Sequence, residues 1–330
     1  MVNISFVVIA KNESFCIKKC LSGLEKIKIK DCEYVLVDSD STDGTEQLMM
    51  GFYEVHAEST KVIRCSGTLN AAVVRNVGFS NSSGDIVFFV DGDTEINLDF
   101  VESAISRLEA DLSVVAVTGK LSDVMYTDDF TTVLGERVDR NNIRFEQDVL
   151  TFGGNVCVRR SALEEAGGWC EDFMVNEDFE LALRLSALGK IKAIPVYIGK
   201  HHTKRSAIFN RSISVLKALQ PRFFGQLLRK HSLSFNNLKK CLSCNKGHSV
   251  GFLFFLGVCI CLTFGWWFEI NLLMLVLLFL VLLFDLLCGW LRGKGILDRI
   301  VLRILFPPVV VFGWFFPYRI RRNVISKKIS

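Results

Sequence analysis

Residues 249–268 contain no charged side chain. At a helical rise of about 1.5 Å per residue they are just long enough to cross a hydrocarbon core of about 30 Å. A chain with such a stretch divides into a part that folds in water and a part solvated by lipid. After Glu269, residues 270–291 form a second run of spanning length, interrupted only by Asn271 and Asp285. The two read as a hairpin whose tight tip is anchored by Trp266 and Trp267 at the interface. Arg229, Lys230, Lys239, Lys240 and Lys246 precede the hairpin, and Arg292, Lys294 and Arg299 follow it. The tip has no Lys or Arg, so both open ends are expected in the cytosol, at the cytoplasmic (inner) membrane. Residues 304–318 are shorter, contain Pro307-Pro308 and are flanked by Arg303, Arg319, Arg321 and Arg322. They read as re-entrant or interfacial, with a third crossing as the alternative. Asp285 is read first as a helix-to-helix hydrogen bond, a functional path being the rarer case.

The rest of the chain is of ordinary composition. Of 330 residues 50% are hydrophobic, and the excess lies beyond position 249. The net charge of +4 is small, and its basic residues crowd into 205–247, interleaved with Phe and Leu. That pattern predicts amphipathic helices at an anionic lipid surface, and no nucleic-acid motif is present. The first ten residues lack the basic region and cleavage site of a signal peptide. Eleven cysteines are scattered without a framework spacing, as free thiols would be. Cys241, Cys244 and His248 offer three zinc ligands without a fourth, so no zinc is expected.

Residues 4–10 are a β-branched and aromatic run, and Ile17, Leu21 and Leu24 follow at helical spacing. The pattern repeats: strands at 34–37, 62–64 and 86–90, and helices after the polar loop 38–45 and near Asn70. Strands alternating with helices predict an α/β fold with a mostly parallel sheet covered on both faces. Ligands bind such sheets at the carboxyl ends of the strands, where the polar clusters of this chain sit. Ser161 and Glu164 are expected to form a capping box, Gly167-Gly168 to stop that helix, and a further helix to run over 178–188.

Asp91-Gly92-Asp93 directly follows the strand at 86–90. Two carboxylates on one tight turn can share a hard divalent cation with a diphosphate, although an acidic surface turn has the same composition. Glu177-Asp178 opens a helix, where a carboxylate serves either as an N-cap or as a general base pointing into a cleft.

Together, Val37 to Thr45, Arg75-Asn76-Val77-Gly78, Val90-Asp91-Gly92-Asp93, Gly153-Gly154-Asn155 with Arg159-Arg160, Gly167-Gly168-Trp169 and Glu177-Asp178 resemble the successive signatures of family 2 glycosyltransferases of the GT-A fold. The resemblance covers roughly residues 3 to 205 and implies an inverting, metal-dependent sugar transfer from a nucleotide-sugar donor. It implies that Asp38 contacts the donor base, with uracil the base expected, and that Arg75 lies against the nucleotide or its phosphates. Ala10, Glu13, Asp40 and Gly92 join the donor side, Asp40 standing where many relatives have glycine. Asp91 and Asp93 become the metal-binding pair for Mn2+ or Mg2+, Asp93 the more direct ligand. Asp178 becomes the base with Glu177 beside it, and Gly153, Gly154 and Asn155 line the sugar and acceptor side. His201-His202 follows the strand after the base helix, where some relatives complete the metal site with a histidine; an ordinary polar loop residue is the equal alternative, and His202 is named for the metal role with the choice between the two histidines open. The QxxRW motif of processive members is absent, which favours transfer of a single sugar. The expected organisation is a catalytic domain over 1–204, with a nucleotide half to about 120 and an acceptor half beyond it, a juxtamembrane segment over 205–247 and a membrane region over 248–330. The expected acceptor is a lipid-linked saccharide. The alternatives are a nucleotidyltransferase of similar fold, or a non-catalytic membrane assembly subunit.

Overall fold

The computed structural model describes residues 3–27, 29, 32–139, 141–204, 220–231, 234–244 and 324–329. The stretches 249–268, 270–291 and 304–318 lie outside the described residues. Among the described residues no helix is long and apolar enough to cross a membrane. The chain divides into two compact units, Met1–Asn210 with Ile320–Ser330, and Arg211–Arg319.

The first unit is built on β-α alternation. β1 (Ile4–Ala10), β2 (Cys32–Ser39), β3 (Thr60–Gly67) and β4 (Ile86–Asp91) are separated by the helices α1 (Ile17–Glu25), α2 (Thr45–Val55) and α3 (Ala71–Ser80). Asn70 caps α3, its side chain accepting from Val73 N at 2.9 Å. After β4 come β5 (Thr94–Ile96), α4 (Leu98–Ala110), β6 (Val114–Tyr126), β7 (Val133–Arg137), β8 (Gln147–Asp148), β9 (Val156–Arg159), α5 (Arg160–Ala166), α6 (Glu177–Leu188) and β10 (Lys190–Lys204). A last strand, β11 (Val324–Lys328), comes from within the stretch 248–330.

One sheet runs in the order β11-β3-β2-β1-β4-β9-β6-β10-β5, with β7 on β6 and β8 on β10. Only β3, β2, β1 and β4, and the pair β6 and β10, run parallel to their neighbours. The expected mostly parallel sheet is therefore a mixed one. β9 is antiparallel to both β4 and β6, so β6 and β10 point the same way as β4. All the parallel strands end on one rim.

Side chains of β1 alternate between two apolar layers. Ile4, Phe6 and Val8 join α1, α2 and α4 on one face, while Val7 joins α3, α5 and α6 on the other. Phe6 lies opposite Tyr34 and Phe88 in register and stacks on both rings, at 5.6 and 5.0 Å between centroids. The capping box does not form: α5 begins at Arg160, Arg159 is its cap without a side-chain bond, and Glu164 stands 3.7 Å from Arg160. Gly167 does end the helix in the left-handed conformation (φ 82°). In the second unit, α7 (Gln220–His231) buries Phe223, Phe224, Leu227 and Leu228 and exposes Arg229 and Lys230, and α8 (Phe235–Cys244) packs on it.

Candidate active site

Register gathers the polar strand ends into one row. Ala10 lies opposite Asp38, Asp38 opposite Arg64, and Ile9 opposite Asp91. A cleft of about 320 Å3 opens there, lined among others by Ala10, Glu13, Ser39, Arg75, Asp91 and Asp93. Asp38 is fully buried. Its Oδ2 accepts from Ser41 N at 3.0 Å, whereas Oδ1 has no hydrogen-bond partner. An unpaired buried acceptor is costly, and a ligand N–H would satisfy it. Asp40 has φ 59° and pairs through Oδ1 with Arg64 at 3.0 Å, on the surface beyond Asp38. Aspartate tolerates that left-handed backbone, which explains how it stands where glycine is common. Burial, reinforced by the nearby Asp93 carboxylate, pushes the Glu13 pKa up to about 7.

The turn after β4 is fixed by close packing. Gly92 N donates to Ile9 O at 2.8 Å, and a Cβ at Gly92 would come within 2.6 Å of the Ala10 Cβ. Asn155, buried, accepts from Asp91 N at 3.0 Å and donates to Thr94 Oγ1 at 3.1 Å, so it locks the turn and does not line the acceptor side. A Cβ at Gly154 would sit 1.9 Å from Asp91 Oδ2, which is why only glycine fits against that carboxylate.

Arg75 is buried and joins both acidic motifs. One terminal nitrogen reaches Asp91 Oδ1 at 2.7 Å, the other Glu177 Oε1 at 3.0 Å, and the guanidinium lies 4.6 Å from the Trp169 ring centre. Burial disfavours its charge, but the Asp91 and Glu177 carboxylates outweigh this and hold its pKa up. Burial raises the Glu177 pKa, with Arg75 opposing and Asp178 adding to the rise. Asn176 (φ 63°) turns the chain into α6, and Asp178 Oδ2 accepts from Gly153 N at 3.1 Å and Thr151 Oγ1 at 3.2 Å.

On the other flank of the turn, His201 lies opposite Thr94 and Asp123 in register. Its Nε2 is 3.1 Å from Asp93 Oδ2 and its Nδ1 is 2.8 Å from Asp123 Oδ1. His202 points to the opposite face, as the next residue of a strand does. It is buried, with Nδ1 3.0 Å from the Tyr126 hydroxyl and Nε2 3.6 Å from Glu95, beyond hydrogen-bond reach. Burial, then Lys19, lowers its pKa, against a smaller opposing pull from Glu95.

Residues 5–167 match the family described as Glycosyl transferase family 2. These residues are a glycosyltransferase domain. A beta-monoglucosyldiacylglycerol synthase of Nostoc sp. is 26% identical to the chain over 194 residues, 55% of this chain and 41% of that protein. The chain spans less than half the length of the first curated relatives that it matches. Among solved structures, TarS 1-349 of S. aureus in complex with UDP-GlcNAc superposes with a TM-score of 0.51 at 21% identity, covering 61% of this chain and 58% of that one. The mannosyltransferase PcManGT of Pyrobaculum calidifontis, in complex with GDP-Man and Mn2+, gives 0.56 at 18% identity, covering 96% and 87%. At these identities the likeness is one of fold, the Rossmann-like GT-A fold.

The glycosyltransferase domain keeps its expected residues in one region but redistributes their parts. Arg75 is a buried bridge between Asp91 and Glu177. His201, in place of His202, faces Asp93, and both histidines lie within β10 instead of after it. Asp91 is engaged by Arg75, so Asp91, Asp93 and His202 do not point at one centre. Among the described residues no three His, Cys, Asp or Glu side chains form a ready-made metal site. Asp93 and His201 nevertheless suit part of one. Two ligands bound at about 2.1 Å and at right angles to an octahedral ion stand about 3 Å apart, the spacing seen here. Thr151 and Asp123 were not singled out by sequence. Each touches a motif residue only through strand register or loop closure, and no spacing signals that.

Proposed function

We propose that this domain transfers a single sugar, with inversion, from a nucleotide sugar to a hydroxyl or phosphate of a lipid-linked acceptor at the cytosolic face of the inner membrane. The observation that carries the transfer is Arg75, which ties the Asp91 turn of the donor cleft to the Glu177-Asp178 turn in one buried ion-pair network. Donor leaving group and acceptor base would then be held at a fixed separation, the positional requirement of a single displacement. Asp178, oriented by Thr151 and Gly153, would take the acceptor proton. The unpaired Asp38 Oδ1 suits the N3–H of uracil, and the relative solved with UDP-GlcNAc supports a uridine donor. Asp93 and His201 would hold Mn2+ or Mg2+ with the diphosphate, as the Mn2+ of the PcManGT complex supports. Such an ion supplies charge neutralisation for the departing nucleotide.

A lipid acceptor is supported by the name of the Nostoc relative, whose product is a glycolipid. The position of β11 bears on the number of crossings. β10 ends on the cleft-bearing rim at Lys204, and β11, antiparallel to β3, starts there with Val324 opposite Gly67. Strands of one sheet lie in one compartment, so the segment between them would cross a bilayer an even number of times. This favours the two-span hairpin over a third crossing by 304–318.

The test uses the full-length protein in detergent with membrane lipid extract, a panel of nucleotide sugars, and Mn2+ added or withheld. Transfer of label to the lipid fraction is expected from one uridine-linked donor only with metal. Asp178→Asn is expected to bind that donor normally and to transfer at least about a hundredfold more slowly. Full transfer by this variant would place the base elsewhere, and labelling of no fraction with any donor would overturn the reading.

A further inference from the structure

We infer that Asp123 is a positioning residue for the cation site, holding His201 in the one tautomer and orientation in which its Nε2 can bind the ion beside Asp93. The inference rests on the metal-assisted donor binding proposed above and adds a residue that no motif contains.

Asp123 sits near the end of β6, its side chain almost fully buried, and strand register sets it directly opposite His201. A carboxylate in that setting accepts hydrogen bonds, so the ring nitrogen 2.8 Å away, Nδ1, is its donor. With the proton on Nδ1, a neutral ring carries its lone pair on Nε2. That lone pair faces Asp93 Oδ2 at 3.1 Å, another electron-pair donor. Two acceptors at this distance repel unless a positive centre stands against both. A divalent ion is such a centre, and the spacing is that of adjacent ligands on one. Without Asp123 the ring could carry its proton on Nε2 and donate it to Asp93, and the nitrogen would be lost as a ligand. A carboxylate behind a metal-binding imidazole acts this way wherever it occurs.

The observed contacts separate the adjacent histidines. His201 and His202 point to opposite faces of β10, and of the two only the His201 ring reaches both Asp123 and Asp93. His202 meets Tyr126, a hydroxyl partner that carries no charge at neutral pH.

The alternative is a purely structural bridge, with His201 as an imidazolium between two carboxylates. The two differ in what metal binding would feel. With full-length protein in detergent and saturating UDP, Mn2+ affinity is read from the electron paramagnetic resonance of free Mn2+, and histidine coordination from the nitrogen coupling of the bound ion. Wild type is expected to show the coupling. Asp123→Asn is expected to weaken Mn2+ binding by about tenfold or more, with its thermal midpoint and metal-free UDP affinity unchanged. His201→Ala should lose at least as much, and the double variant no more than His201→Ala alone, because both act through one nitrogen. Unchanged Mn2+ affinity in Asp123→Asn, or losses that multiply in the double variant, would overturn the inference while leaving the proposed transfer intact. The nitrogen coupling needs no substitution, so a wild-type spectrum without it overturns the inference however the variants fold. Wild type that binds no Mn2+ with UDP would remove the metal reading and this inference together.

Discussion

At the scale of single residues, the site depends on how a few buried charges are matched. Arg75 neutralises two carboxylates that would otherwise repel one another across the cleft, and it is shielded from water by Trp169. Removing the guanidinium leaves Asp91 and Glu177 without their partner, the situation in which a buried ion pair costs most to break. Arg75→Met should lower the unfolding free energy by about 3–5 kcal/mol in chemical denaturation, and its donor affinity should fall as the Asp91 turn loosens. A variant as stable as wild type would show that the bridge is not formed in solution. From sequence, the identities of Arg75, Asp91 and Glu177 were legible because they recur in motif order, but their mutual contact was not. Position 177 is far from 75 and 91 in the chain, and only the folding of α6 against α3 and β4 brings the three together.

At the scale of elements, the β1-β2-β3-β4 block is legible in the sequence because its periodicities are strong and local. Phe6, Tyr34 and Phe88 each fall at an inward position of a short apolar run, and parallel pairing then stacks them as a row. Phe6→Ala removes the middle ring, and a cost of about 3–5 kcal/mol is expected from equilibrium unfolding. A loss below about 1 kcal/mol would mean that the neighbouring rings collapse into the gap. At the amino ends of the same strands, Glu33 accepts from Ser5 Oγ at 2.7 Å, from Lys61 Nζ at 2.9 Å and from Ser83. Burial works against its charge, but these donors prevail and bring its pKa from 4.5 down to about 2. A folded-state pKa below the unfolded one stabilises the fold above about pH 4.5 and stops doing so as pH falls towards 2. Glu33→Gln should therefore melt below wild type at pH 7, with the gap closing between about pH 4.5 and 2. A gap that stays constant through that window would assign the loss to packing. The second half of the sheet was harder to read. β7, β8 and β9 are short or exposed, and β8 and β9 pair with strands distant in sequence, so local pattern could not show that the sheet turns antiparallel beyond β4.

At the scale of the whole molecule, β11 returns the end of the chain to the edge of the sheet that β1 begins. Reporter tags placed before Met1 and after Ser330 should both be shielded from protease added to intact spheroplasts and both be cut after lysis. One tag cut and the other protected would contradict an even number of crossings. The sequence by itself determined the alternation of strands and helices, the order of the acidic motifs and the apolar character of 249–291, because each is written in neighbouring residues through helical or strand periodicity and side-chain solvation. Only the tertiary structure decided that His201 and not His202 meets Asp93, that Arg75 serves two motifs at once, that Asn155 supports the turn, and that the C-terminal strand pairs with β3. Each of these is a contact between segments remote in the chain. A shift of one residue in the register of β10 would have exchanged the faces of His201 and His202, and register is set by the packing of the whole sheet.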